Sequence, residues 1–279
     1  MARGANLILT GASVSPEREH EFFGSIRLGN GVNKTTCAHR LDDVNAFVAA
    51  AWKELGVAPR EILDAGASSG ISSREWADTL AAGGFEARIV ASDIALNGRL
   101  VSLLPGLDVL VDRDGHILLR IVFGKILPLR RPWIDWVTGV ASLRRLIDLI
   151  AGLRQGDLER GGRPLMLVSA SALGHPAIDF VEDDVLAPAP DSLRNRFDAI
   201  RAANILNHAY FGIDDLKSAV INLRQRLAGA GSFLIVVRTW LEGSNHGTLF
   251  RLNDGGRFDV VARLGQGSEI ENIVLETAG

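Results

Sequence analysis

Glu61-Ile62-Leu63-Asp64-Ala65-Gly66-Ala67-Ser68-Ser69-Gly70 is the stretch on which the fold turns. Its first half, EILDA, is a short apolar run suited to a buried strand, and its second half is a loop of small residues. Ile71 to Ala82 follows with helical spacing and stops at Gly83-Gly84. Ala87 to Ser92 is then a second apolar strand, with Asp93 at its end. A strand, a tight loop, a helix and a second strand are the repeating unit of a parallel α/β sheet.

The pattern extends in both directions. Upstream, Leu41 to Leu55 reads as a helix with Val44, Phe47, Val48, Ala51, Trp52 and Leu55 on one face, closed by Gly56. Downstream, Ile178 to Val181 and Phe197 to Ala202 read as strands. Asp214 to Leu227 reads as a helix with Leu216, Val220, Leu223 and Leu227 in one stripe, and Ser232 to Val237 as a buried strand. Arg257 to Arg263 and Glu269 to Glu276 alternate as a closing pair, turning at Gly265-Gln266-Gly267. The expected architecture is α/β: a Rossmann-like, doubly wound, mostly parallel sheet with a C-terminal antiparallel hairpin.

Residues 1–279 are expected to form a single domain with two additions. Residues 1–58 are a helical and irregular N-terminal extension. Residues 94–176 are a long insertion after the second strand, expected to act as a lid or acceptor-recognition region. Within it, Val109 to Phe123 reads as a hairpin turning at Asp114-Gly115. Trp133 to Leu153 reads as an amphipathic helix with Trp133, Trp136, Val137, Val140, Leu143, Ile147 and Ile150 on its stripe. Arg130, Arg131, Arg144, Arg145 and Arg154 accompany it. That combination fits either a packed face or peripheral membrane contact through 126–154.

Composition narrows the function. The chain is 47% hydrophobic and 23% charged, as expected of a protein with a packed core. Its net charge of −3 argues against a general nucleic-acid binder. The single cysteine, Cys37, excludes an intramolecular disulfide and leaves no basis for a Cys-based metal site. A reducing, cytoplasmic compartment fits. The apolar run near the N-terminus is too short for a signal sequence, and no stretch is long and apolar enough for a membrane span.

Ligands of open α/β sheets bind at the carboxyl ends of the strands near the topological switch point. The candidates there are Gly66, Ala67, Ser68 and Gly70 in the loop, Asp64 before it, and Asp93 with its neighbour Ile94. Gly66 lets backbone approach a ligand. Asp93 is placed to accept hydrogen bonds from a ribose diol. The full dinucleotide fingerprint G-x-G-x-x-G is absent. Asp64 would sit poorly beside a pyrophosphate and suits a cationic ligand.

ILDAGASSG resembles the first motif, D-x-G-x-x-x-G, of class I S-adenosylmethionine-dependent methyltransferases. The resemblance implies that Gly66, Ser68 and Gly70 cradle the methionine part of S-adenosyl-L-methionine and that Asp93 holds its ribose. FVEDDV (180–185) is similar to the third motif, in which an acid meets the adenine amino group and the next amide meets the ring. Asp184 followed by Val185 is the match, with Asp183 as the alternative. FDAIRAANILNH (197–208) is similar to the fourth, which places Ala203 and Asn204 towards the methionine end and the methyl group.

His208 reads as either a general base or a structural histidine, and Tyr210 as either an acceptor-pocket or a core residue. The adenine- and glutamine-methylating signature N-P-P-Y is absent, since Asn204 is followed by Ile-Leu-Asn. The expected acceptor is therefore the O or N of a small molecule or lipid, with no nucleic-acid partner. The alternatives are a non-catalytic relative acting through its insertion and a nicotinamide-dependent oxidoreductase.

Overall fold

A computed structural model of the chain describes residues 16–27, 34, 37–127 and 139–277. The contacts divide it into two compact units: Met1–Thr36 with Ala95–Ala170, and Cys37–Ile94 with Ser171–Gly279. The segment expected as an insertion thus clusters with the N-terminal residues as a unit of its own.

The second unit holds β1 (Glu61–Ala65), β2 (Arg88–Asp93), β8 (Ile178–Glu182), β9 (Ala199–Ala203), β10 (Phe233–Thr239), β11 (Asn245–Leu252) and β12 (Phe258–Leu264). They form one sheet in the order β12-β11-β10-β9-β1-β2-β8. The strands from β8 to β10 are parallel, and β11 and β12 add an antiparallel edge. The chain runs outward from β1 to β2 and β8, then returns to β1's other side as β9. The switch point therefore lies between β1 and β9.

Alternation along each strand sends neighbouring side chains to opposite faces. Ile62, Ile89, Ala199 and Ile235 pack under helices α2 (Asp42–Glu54) and α3 (Ile71–Ala82), against Val44, Val48, Trp52, Trp76 and Leu80. Leu63, Val90, Ile200 and Val236 face the opposite helix α6 (Ile213–Arg226) through Leu216, Val220 and Leu223. The sheet is thus covered on both sides.

The closing hairpin differs from the sequence expectation. It is made by β11 and β12, and Glu271–Glu276 is a short helix, α7. Ile270, Val274 and Thr277 are buried while Asn272, which would share the face of Ile270 and Val274 in a strand, is exposed, a helical and not a strand pattern.

The first unit is a five-stranded antiparallel sheet in the order β6-β5-β4-β3-β7. Its strands are β3 (Asn97–Leu104), β4 (Leu107–Val111), β5 (Ile117–Val122), β6 (Lys125–Ile126) and β7 (Arg163–Met166). The β4–β5 pair is the expected hairpin, and the Asp112 carboxylate accepts the backbone N–H of Asp114 and of His116 across its turn. Phe22 and Phe23 of α1 (Pro16–Gly24) cover one face. Ile147 and Ala151 of α4 (Val140–Leu153) cover the other, followed by the short α5 (Gln155–Arg160). The expected helix began at Trp133. Trp133, Trp136, Val137, Arg130 and Arg131 lie outside the described residues.

Candidate cofactor site

The carboxyl end of β1 turns sharply at Gly66 (φ 76°), Ser68 (φ 56°) and Gly70 (φ 79°) before α3 begins. Left-handed φ at three alternate positions explains the small residues, because a Cβ is disfavoured there. The loop is tied to the next strand: Gly66 and Ala67 donate their N–H groups to the Ser92 carbonyl at 2.8 and 2.9 Å. Ser68 N–H donates to Asp93 Oδ2 at 2.8 Å. Asp93, the expected ribose acid, is thereby fixed against the glycine loop at the sheet's carboxyl edge, while Ile94 beside it is 49% exposed. Among the described residues, the hydroxyls of Ser69 and Ser92 are buried here without a hydrogen-bond partner, polar atoms that call for a bound group or water.

The glycines also make room for protein. A Cβ on Gly66 would overlap Cγ2 of Ile205, from the loop after β9, and one on Gly70 would come within 2.8 Å of the Phe180 ring. Both sides of the switch point thus meet at the glycine loop, with Ile205 occupying the space that a side chain on Gly66 would need.

Asp64 departs from its expected role. Alternation places it on the face shared by Ile62, under α2 and α3, where β9 brings Arg201 into register beside it. Arg201 Nε and Nη2 donate to its two oxygens at 2.8 and 2.6 Å, and Ser73 Oγ donates at 2.6 Å. Arg201 also donates to Asn45 Oδ1, at 2.7 Å, and lies over the Trp76 ring at 4.1 Å. Both carboxylate oxygens are spent on a buried ion pair, so Asp64 does not face a cationic ligand. An Arg inside the apolar run AIRAA was the sequence signal for such a pair, since a buried charge requires a partner.

The two adjacent acids after β8 separate cleanly. The Asp183 carboxylate accepts two hydrogen bonds from Arg226, at 2.7 and 2.9 Å, in a second buried pair. Arg226 also donates to the carbonyls of Asp184 and Ala187, which fixes the loop. Asp184 is exposed, and its carboxylate accepts only the Leu186 N–H among the described residues, while Val185 is buried. Asp183 is thus structural, and Asp184 is the acid on the surface.

Beyond β9, Ala203 is buried in the sheet. Asn204 (φ 63°) turns its side chain onto β10, where Oδ1 accepts the Thr239 N–H at 2.7 Å and Nδ2 donates to Thr239 Oγ1 at 3.1 Å. Its carboxamide is a clasp between strands. Asn207, buried, holds the following loop by donating to the Asn204 carbonyl and accepting the Ala209 N–H. His208 is exposed, and Tyr210 is 53% exposed, so the tyrosine is not a core residue.

Arg40, which the sequence reading passed over, lies in this unit close enough to Glu75 and Arg201 to feel their charge. Burial lowers its guanidinium from the ordinary value. Burial likewise raises the Glu75 carboxyl, against the lowering effect of the His39 N–H that donates to it at 2.8 Å.

No family model matches the chain, and no curated protein matches it. Solved structures similar to it include several methyltransferases. The N-methyltransferase NodS from Bradyrhizobium japonicum WM9, in complex with S-adenosyl-L-homocysteine, is 12% identical, with a TM-score of 0.33 over 72% of this chain and 62% of that one. The plantazolicin methyltransferase BpumL, in complex with a pentazolic desmethylPZN analog and SAH, is 10% identical, with a TM-score of 0.37 over 71% of this chain and 46% of that one. The carbon methyltransferase CurJ is 16% identical, with a TM-score of 0.35 over 71% of this chain and 34% of that one. The chain thus spans less than two thirds of each of these proteins. The functional reading of the site rests on this chain's own strand order and loop geometry.

Proposed function

We propose that the chain is an S-adenosylmethionine-dependent methyltransferase acting on an O or N of a small molecule or lipid. One observation carries the reading: beside the switch point, the ribose-type acid Asp93 at the end of β2 is hydrogen-bonded to the left-handed residue Ser68 of the glycine loop. An acid held against a backbone N–H of the loop suits a ligand with a diol at one end and a polar amino-acid part at the other.

The residues present fit such a cofactor at its nucleoside end. Asp93 would receive the ribose hydroxyls, Ile94 would offer an apolar surface to the adenine, and Asp184 with the Val185 amide would meet the adenine edge. The loop from Gly66 to Gly70 would carry the methionine part, with Ile205 against it. The bound cofactor supplies a methyl group already activated on a sulfonium, so the protein's task is mainly alignment. His208 and Tyr210 are the proton-transfer candidates nearest in sequence to the Asn204 turn, and their exposure leaves them open to an acceptor.

Ile205, filling the space over Gly66, favours a second reading in which the fold is kept without cofactor turnover. Isothermal titration separates the readings. The methyltransferase reading expects S-adenosylhomocysteine to bind and NADH not to. Binding of neither supports the non-catalytic relative, and binding of NADH alone supports an oxidoreductase.

A further inference from the structure

Helix α4 (Val140–Leu153) is apolar on two faces. Ile147 and Ala151 are buried against the first unit's sheet, with Leu143 and Ile150 packed beside them. The opposite face is exposed and, among the described residues, not covered. Leu146, Leu149 and Leu153, spaced three and four apart and so in one stripe, are 52%, 62% and 80% exposed. A lone exposed leucine needs no explanation, but a helical row of three is an unpartnered surface. Packing of the helix onto its sheet requires only the inner face.

The charge around the stripe selects the partner. Residues 95–170 carry eleven Lys and Arg against seven Asp and Glu, in a chain whose net charge is −3. Positive charge is thus concentrated on the unit that bears the leucines. The single acid of α4, Asp148, is neutralised by Arg120 of β5. Arg145 and Arg154, both exposed, enter no ion pair among the described residues. A second copy docking through the same patch would bring these arginines towards their own counterparts, because a twofold interface is self-complementary. A nucleic acid offers phosphates to the arginines but nothing to three leucines. An anionic bilayer surface satisfies both, with acyl chains for the stripe and headgroups for the flanking guanidinium groups.

We infer that the outer face of α4 is a peripheral docking surface for anionic lipid membranes, with Leu146, Leu149 and Leu153 entering the interface and Arg145 and Arg154 engaging headgroups. This inference is independent of the methyltransferase reading, since it concerns the other compact unit.

The test is co-flotation of the full chain with vesicles of phosphatidylcholine alone and of phosphatidylcholine with phosphatidylglycerol. The parent is expected to float with the anionic vesicles and far less with the neutral ones, and to release as salt is raised. A Leu146→Ser/Leu149→Ser/Leu153→Ser variant is expected to bind at least about tenfold more weakly with an unchanged melting temperature, since these side chains leave no cavity. Arg145→Gln/Arg154→Gln should lose the preference for anionic vesicles. Failure of the parent to float with anionic vesicles overturns the inference, as does a triple variant that floats like the parent. Light scattering that shows a parent dimer turned monomeric by the triple variant, without flotation, would reassign the face to contact between copies.

Discussion

The two buried ion pairs are the residues that most directly hold the candidate site in shape. Arg201–Asp64 joins β9 to β1 beneath the glycine loop, and Arg226–Asp183 anchors the loop carrying Asp184. Removing one member strands a charge away from water, which costs about 3–5 kcal/mol. Arg201→Ala is therefore expected to lose about that much stability in urea unfolding, and an unchanged midpoint would contradict the structural role. Asp93 is different: its task is assigned to the ligand. Asp93→Ala is expected to weaken S-adenosylhomocysteine binding at least about tenfold, the loss expected for a charge-assisted hydrogen bond, with the same affinity as the parent counting against the ribose role. Glu75 gives a pH signature. Because burial raises its carboxyl, the folded chain keeps a proton that the unfolded chain has released. The associated stability is fully present below the ordinary carboxylate range and is lost as pH rises through the raised value. Glu75→Gln keeps an acceptor for the His39 N–H, so its melting temperature should match the parent at acid pH and exceed it above the window. A variant that tracks the parent throughout would remove Glu75 as the cause.

What was legible at this scale followed from local chemistry. The glycine loop and Asp93 are readable because left-handed turns demand small residues and because a strand-terminal acid stands out. The fate of Asp64 was not, since it depends on register between β1 and a strand 137 positions away. Asp184 was preferred to Asp183 by position alone, and the pairing of Asp183 with Arg226 is what separates them physically.

At the scale of elements, the glycine loop couples the two sides of the switch point. Gly66→Ala introduces both left-handed strain and overlap with Ile205. It should lower the melting temperature and weaken ligand binding. Pairing it with Ile205→Ala should restore part of the stability, because the overlap is relieved and the strain is not. A double variant no better than Gly66→Ala would show that Ile205 is not the obstacle. The strands β1, β2 and β10 were readable as apolar runs bounded by turns. β11 was not, because its residues are buried on both faces and show no alternation. The closing hairpin was therefore displaced one strand towards the C-terminus, onto residues that the core takes as helix α7.

At the scale of the molecule, an α/β sheet with an antiparallel edge was legible, and its division into two units was not. The sequence shows a hairpin and a helix between β2 and β8 but not that β7 closes a separate sheet, or that α1 from the N-terminal region covers it. Among the described residues, no helix is long and apolar enough to cross a membrane. The surface inference therefore concerns peripheral contact alone, and it is separable from catalysis. The leucine-stripe variant should bind S-adenosylhomocysteine as the parent does, because the glycine loop and Asp93 belong to the other unit.

The central claim is that the β1 loop and Asp93 hold S-adenosylmethionine. Isothermal titration of the full chain with S-adenosylhomocysteine, beside the Asp93→Ala variant, tests it most directly. The account predicts saturable one-site binding by the parent, no binding of NADH, and marked weakening in the variant. A parent that binds no S-adenosylhomocysteine, or a variant that binds it equally well, would contradict it.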